Sequence, residues 1–272
     1  MIKLENTEVL GWEAAIRGMR NPMNSWGKSD SIFYHPLCEI GYDINGNTYD
    51  NDDGDRDFPE WFDWKQFNSD YELAKTAFRL GPNDHKLVMN LAKAGSVDAK
   101  YRRMIVVTVD ITAPLYWWKE FDTYKVGTVA NSCSTMHKIQ AKEFTLEDFS
   151  HEHLDLIQER IPIGSGRDDS YYLDSSKEIL LNVIRGLNAY REHFLTTKDK
   201  AYWWQMIQLL PSSYNQRRTV MLNYEVLAGI YPKRKDHKLD EWHDFCGWIK
   251  NLPYSEIITL EDRQNDVKQE DK

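Results

Sequence analysis

Apolar side chains recur at three- and four-residue steps over most of this chain, and that spacing predicts a helix-dominated protein. Residues 8–20 place Val9, Trp12, Ala15, Ile16 and Met19 on one helical face, and Asn21-Pro22 ends the run because a residue before proline avoids the α region. Two helices are expected at 70–80 and 84–94, parted by Gly81-Pro82-Asn83, with Asp84 as N-cap and Gly95 as stop. Residues 139–160 read as another, capped by Thr145 with Asp148 three positions on. The clearest stripe lies in 176–195, where Ile179, Val183, Ile184, Leu187, Tyr190 and Phe194 share a face. Helices are also expected at 200–210, 216–231 and 238–250, with a turn at Leu210-Pro211-Ser212-Ser213. Residues 103–113, RMIVVTVDITA, have the β-branched density and the length of a strand. Pro114 closes that strand and opens the helix LYWWKEF. The expected class is therefore α+β and helix-rich. A single domain is expected over 1–255, and the charged tail 256–272 is expected to stay disordered.

Composition removes several classes of function. The net charge of −9 argues against broad adhesion to nucleic acid polymers, while a single phosphate needs only a local basic pocket. Cys38, Cys133 and Cys246 are far apart, which fits neither a disulfide framework nor a structural zinc site. The acidic stretch 43–59, DINGNTYDNDDGDRDFP, suggests a calcium loop, but Gly and Glu fall in the wrong places in both registers. It reads as an exposed acidic loop, and no metal is expected. IGSGRDDS at 163–170 lacks the GxxxxGK[ST] pattern of a phosphate loop. No apolar run is long enough to span a bilayer and the first residues hold no secretory core, so the expected location is the cytoplasm, with no membrane partner.

The stretch Asp110–Lys138 carries the strongest chemical signal. Its first half is apolar and aromatic; its second gathers Tyr124, Lys125, Thr128, Asn131, Ser132, Cys133, Ser134, His137 and Lys138. An apolar wall leading into donors and cations suits an anionic polar ligand. An aromatic core helix followed by a polar surface loop would show the same pattern. Trp117 and Trp118 are neighbours on a helix and face different sides, so at least one belongs to the core. Cys133 reads either as a thiol activated by Lys125, His137 and Lys138, or as a small apolar residue. His137 reads as a ligand contact or structural donor rather than a general base.

The order of these pieces resembles the flavin-dependent thymidylate synthases. That family has a strand ending in Ala-Pro, a helix with R-Q-W-x-R-H-R, then S-x-N-E-x-S-x-R-Y, a distant Leu-Pro, a T-x-N-x-R helix and a late Arg. Here Ala113-Pro114 stands at the strand-to-helix point, Lys119-Glu120-Phe121 where R-Q-W would be, and Thr123-Tyr124-Lys125 where R-H-R would be. With one residue inserted, Thr128, Asn131, Ser132, Ser134 and His137 take the next set of places. Leu210-Pro211, Tyr214, Thr219 to Asn223 and Arg234 follow at near-family spacing.

The resemblance implies a central sheet flanked by helices and a homotetramer with sites between subunits. It implies FAD, a folate carbon donor and NADPH acting on a pyrimidine deoxynucleotide monophosphate. No side-chain nucleophile is required, and no residue is assigned a catalytic role. Lys125, Lys138 and Arg234 would meet phosphate, Ser132, Ser134 and the Asn131 backbone would add neutral donors, and His137 would contact the ligand. Asn223 would read a base edge, and Tyr124, Lys125, Glu120 and Asn223 would meet the flavin. Two family arginines are replaced, by Thr123 and by Glu225. A carboxylate at 225 facing the base would favour an amino-bearing ring such as cytosine. The alternative is a protein of this fold that has lost the reaction and binds a nucleotide or a protein partner.

Overall fold

The computed structural model describes residues 2–35, 40–50, 78–154, 161–163, 171–172 and 175–260. The chain opens with a strand, β1 (Lys3–Leu10), where the apolar spacing had suggested the start of a helix. Five of its eight side chains are polar, its apolar Leu4, Val9 and Leu10 do not alternate, and none is more than half-buried, so hydropathy does not announce a strand. Gly11 then turns the chain at φ +92°, and a β-carbon there would lie 2.1 Å from the Met104 carbonyl oxygen. Helix α1 (Trp12–Arg20) buries Trp12, Ala15, Ile16 and Met19 as its spacing predicts. A 3₁₀ turn at Asn21–Met23 ends it at the expected proline.

Strands β2 (Ile32–His35), β3 (Ile40–Tyr42), β4 (Thr48–Asp50) and β5 (Phe78–Arg79) form an antiparallel sheet in the order β4-β3-β2-β5. The expected acidic loop thus begins as a hairpin. Asp43 shapes its turn by accepting from the Asn45 and Asn47 amides and from Asn47 Nδ2. The expected 70–80 helix falls outside the described residues except at its end, where Phe78–Arg79 is strand. Helix α2 (Pro82–Ala94) stops at Gly95, φ +108°, as expected.

The N-cap of α2 is Gly81, not Asp84. The amides of Asn83 and Asp84 donate to Asp30, whose carboxylate therefore does the capping from another segment. Asp84 is instead fully buried and pairs with Arg20.

β6 (Val106–Pro114) is the expected strand, alternately burying Val107, Val109, Ile111 and Ala113. Helix α3 (Leu115–Phe121) follows it and buries both Trp117 and Trp118. After β7 (Val129–Ser132) come a short α4 (Thr135–Lys138) and a 3₁₀ turn at Leu146–Asp148. The expected helix at 139–160 does not form over its described part. Thr145 does cap, with Asp148 completing a reciprocal capping box around a single 3₁₀ turn. The short β8 (Pro162–Ile163) and β9 (Tyr171–Tyr172) pair antiparallel; residues 164–170 of the expected loop are outside the described set.

Helices α5 (Ser176–Thr197) and α6 (Lys200–Leu209) match their expected spans. The buried face of α5 is Leu180, Ile184 and Leu187, with Ile179 exposed. Residues 216–231, expected as one helix, divide into β10 (Asn215–Asn223) and α7 (Tyr224–Arg234). Helix α8 (Asp240–Lys250) is as expected. The start of the expected disordered tail is ordered: α9 (Glu256–Thr259) buries Glu256, Ile257 and Ile258.

The main sheet has the order β1-β6-β10-β7, and helices flank it, as the α+β, helix-rich class requires. The chain divides into two compact units. One holds 1–3, 111–123 and 131–219; its core joins Phe144, Phe149, Leu180, Ile184, Leu187 and Met206. The other holds 4–110, 124–130 and 220–272, and its aromatic centre stacks Trp12 on Phe78 at 5.0 Å and Phe33 on Phe78 at 4.8 Å. No described helix is long and apolar enough to cross a membrane.

Candidate functional site

The expected site residues fall into two groups, one in each unit. In the first, Pro114 sets the entry into α3, whose leading amides have no partner within the helix. They find partners in the Leu-Pro-Ser-Ser turn: Leu115 N–H donates to Tyr214 O and Tyr116 N–H to Ser212 O, both at 3.0 Å. The two proline motifs that stand far apart in sequence thus meet in space. The Tyr214 ring packs edge-on against Phe144 and Phe149, and burial, with the Asp148 charge, pushes its phenol above the usual range, so it stays neutral.

From α3, Trp118 Nε1 donates to Gln216 O at 3.0 Å, and the Arg218 guanidinium lies 4.1 Å from the Trp118 ring centroid. Arg218 also pairs with Asp122 at 2.7 Å and donates through Nε to Gln216 Oε1 at 3.0 Å. That holds the Gln216 amide so that its Nε2 donates to Cys133 O at 3.0 Å and to Thr135 Oγ1 at 3.1 Å. Cys133 N–H donates to Arg217 O, which ties the end of β7 to β10. The result is a polar clasp on residues 133–135.

Every residue of β7, an edge strand, is exposed, so its side chains are set by backbone pairing rather than by packing. Asn131, Ser132, Ser134, His137 and Lys138 all lie exposed along this stretch. Ser134 Oγ accepts from His137 N–H at 3.1 Å, capping α4, and its hydroxyl hydrogen can still donate outward. Cys133 is a free, exposed thiol. Glu120 is half-buried near the end of α3, and its carbonyl accepts from the Thr123 hydroxyl at 2.7 Å. Thr123 closes a helix end.

In the second unit, Tyr124 OH accepts from Arg234 Nε at 2.8 Å, and the guanidinium lies 4.5 Å from the Trp242 ring centroid. Two aromatic faces and a hydrogen bond therefore hold Arg234 in place. Lys125 is exposed. Gly127 adopts φ +78°, and a β-carbon there would come within 3.3 Å of Asn223 Nδ2 and 3.1 Å of Val226 Cγ2. The next residue, Thr128, has a buried hydroxyl with no hydrogen-bond partner in the described structure.

Asn223 is the N-cap of α7: its Oδ1 accepts from Val226 N–H at 3.0 Å. The amide nitrogen, beside Gly127, is the remaining donor. Glu225 forms an ion pair with Arg102 at 2.9 Å. Arg102 is buried, and its Nη1 also donates to Ile257 O.

Sequence reasoning named neither Gln216, Arg218 nor Arg102. The first two were hidden by the helical reading of 216–231; an alternating pattern of buried Val220 and Leu222 against exposed Arg217, Thr219 and Met221 is the signal that marks the strand. Arg102 has no sequence signal, because its partner is remote. Among the described residues no group of His, Cys, Asp and Glu is placed to hold a metal ion.

No protein-family model matches this sequence, and no curated protein matches it. Solved structures do match in fold. Thymidylate synthase X from Helicobacter pylori, determined with FAD and dUMP, is 11% identical and aligns over 96% of this chain and 98% of its own, with a TM-score of 0.55. A second structure of the flavin-dependent thymidylate synthase of Helicobacter pylori, complexed with FAD and dUMP, is 12% identical over the same shares, with a TM-score of 0.54. Over nearly its whole length, this chain has the fold of the flavin-dependent thymidylate synthases.

Proposed function

We propose that the protein is a thymidylate synthase-like enzyme that binds a uracil nucleotide monophosphate and FAD and transfers a one-carbon unit to the pyrimidine ring. The observation that carries this reading is the end-to-end fold likeness to enzymes solved with FAD and dUMP. The donor chemistry of the residues agrees with it. Lys125 contributes an ammonium, Asn223 its amide nitrogen, Thr128 an unpartnered buried hydroxyl and Arg234 a fixed guanidinium. Phosphate oxygens, uracil carbonyls and the carbonyls of a flavin ring are all acceptors, so this set fits both ligands.

When bound, FAD supplies the redox chemistry that no side chain here provides. The side chains orient and hold. Ser132, Ser134, His137 and Lys138 are assigned to phosphate, with the Asn131 backbone beside them. Tyr124, Lys125, Glu120 and Asn223 are assigned to the flavin. The Asn223 amide nitrogen, with its oxygen committed to the cap, donates to a base carbonyl and so favours uracil over the amino edge of cytosine. Folate and NADPH complete the reaction, and the assembly is a homotetramer whose sites draw on more than one subunit.

A second reading is the same fold with the reaction lost. It is favoured by the fate of two family arginines: Thr123 caps a helix end and Glu225 is paired with Arg102, so neither position supplies a cation. One experiment separates the two. The protein is incubated with FAD, freed of excess and examined by absorption, then melted with and without deoxyuridylate. Retained flavin bands and a nucleotide-dependent rise in melting temperature are expected; at a hundredfold excess over Kd the stabilisation is about 2.7 kcal/mol. A nucleotide shift without flavin selects the second reading, and neither effect removes both.

The clasp gives a further expectation. Gln216→Leu removes the donors that fix Cys133 O and Thr135 Oγ1, at a cost of about 1 kcal/mol in stability. It is expected to weaken nucleotide binding about tenfold, because a misplaced contact loop costs more in affinity than in fold. Titration of the variant with deoxyuridylate checks this; wild-type affinity would show that the clasp does not set the loop.

A further inference from the structure

Two of the donors assigned above are covered by the chain itself. Thr128 Oγ1 is buried and has no hydrogen-bond partner in the described structure. Asn223 Nδ2 lies against Gly127: a β-carbon on that glycine would sit 3.3 Å from it and 3.1 Å from Val226 Cγ2. The turn at 125–128 therefore rests against the start of α7. A hydrogen-bonding carbonyl must come within about 3 Å of the Asn223 nitrogen, and on this side the glycine stands in its place.

The ends of the turn are fixed and its middle is not. Tyr124 OH accepts from Arg234 Nε at 2.8 Å and its ring meets Trp242 edge-on at 6.2 Å, while β7 begins at Val129. Between them, among the described residues, no hydrogen bond ties residues 125–128 to another element. Lys125 is exposed and Val126 is 92% exposed, so neither side chain anchors the turn. Gly127 is at φ +78°, which glycine adopts without steric cost. The group that does pack inward, the Thr128 hydroxyl, has given up water for no partner, and that opposes the covered state.

We propose that the 125–128 turn is a gate on the nucleotide site. It rests closed over Asn223 and Thr128, and it swings out between Tyr124 and Val129 to admit the ligand, which then takes both donors. The gate rests on the nucleotide reading. Apparent affinity is the intrinsic affinity reduced by the fraction of molecules whose turn is open.

The test uses the full chain and two substitutions of opposite sign. Gly127→Ala strains the closed turn, because alanine disfavours positive φ and its β-carbon crowds Asn223 and Val226. It is expected to lower the melting temperature of the free protein and yet tighten deoxyuridylate binding about fivefold. Thr128→Val removes the unpartnered hydroxyl, so it is expected to raise the melting temperature and weaken binding about fivefold. Methyl relaxation dispersion at Val226 reads the opening without ligand. Millisecond exchange is expected in the free protein, with the open population raised by Gly127→Ala and lowered by Thr128→Val. Equal or weaker binding by Gly127→Ala overturns the gate and leaves the nucleotide reading standing. Binding by none of the three forms removes the nucleotide reading; the Val226 exchange then judges the gate alone, and exchange that is absent or unmoved by both substitutions overturns it.

Discussion

Replacing Asp84 with alanine is expected to destabilise the protein by about 3–5 kcal/mol, because it strands a buried guanidinium. Asp84 is fully buried, and its partner Arg20 has only 4% of its side chain exposed. The carboxylate accepts from Arg20 Nε, Ser29 Oγ and Ser31 Oγ, each at 2.6 Å, and from the amides of Asp30 and Ser31 at 3.1 Å. Few single side chains hold so many donors. The same junction is closed in the other direction by Asp30, which caps the first turn of α2. Both carboxylates lie where the helix dipole favours negative charge. Urea unfolding at neutral pH checks the effect: the midpoint should fall sharply with the slope unchanged. Asp84→Asn keeps the shape but not the charge and should recover only part of the loss. Pairing Asp84→Ala with Arg20→Met should cost less than the sum of the two single changes, since the orphaned charge goes with its partner. A midpoint within error of wild type would mean that the network does not stabilise the fold.

How far the sequence reveals this molecule depends on whether a feature is local. The α5 helix is written in its own periodicity, and so is the stop at Gly95. Burial of both Trp117 and Trp118 goes beyond what neighbouring helical positions alone require; it depends on β10, whose Gln216 carbonyl takes the Trp118 indole. The proline motifs at Ala113-Pro114 and Leu210-Pro211 are legible as punctuation, but their meeting through Leu115 and Tyr214 is not. Residues 216–231 mislead because apolar side chains on α7 extend the helical pattern back over the strand, while its own alternation spans only Val220 and Leu222 before Asn223 caps the helix. β1 is invisible for a different reason. It is a mostly polar strand whose Leu4, Val9 and Leu10 do not alternate, and it is held by backbone pairing, of which local hydropathy carries no record. At the candidate site, the residue types were legible and their commitments were not. Asn223 was legible as polar, but not that its oxygen is spent on a cap.

Glu225 shows the same limit and leads to the second large expected effect. Read from sequence, its carboxylate faces the base and favours cytosine. In the structure it faces Arg102 at 2.9 Å, with 6% of the arginine side chain and 19% of the glutamate exposed. Arg102 also supports the chain end through Ile257 O. Beside it, burial raises the Tyr101 phenol well above its ordinary range, and its hydroxyl donates to Val88 O. Glu225→Ala therefore leaves a buried cation without its counter-charge, at a cost of about 3 kcal/mol. The partial exposure of the glutamate sets this at the lower end of the range for buried pairs. Glu225→Gln removes the charge but keeps the volume and should cost less. Neither change is expected to alter the ratio of deoxyuridylate to deoxycytidylate affinity, because a carboxylate held by Arg102 is not reading a base. The two measurements are a denaturant midpoint and a pair of nucleotide titrations on the same variants. A large loss of stability with an unchanged ratio assigns Glu225 to the support of α7. A shift of about tenfold in the ratio, roughly the 1.4 kcal/mol of one base contact, with the midpoint unmoved would return it to the base and make the cytosine preference the better reading.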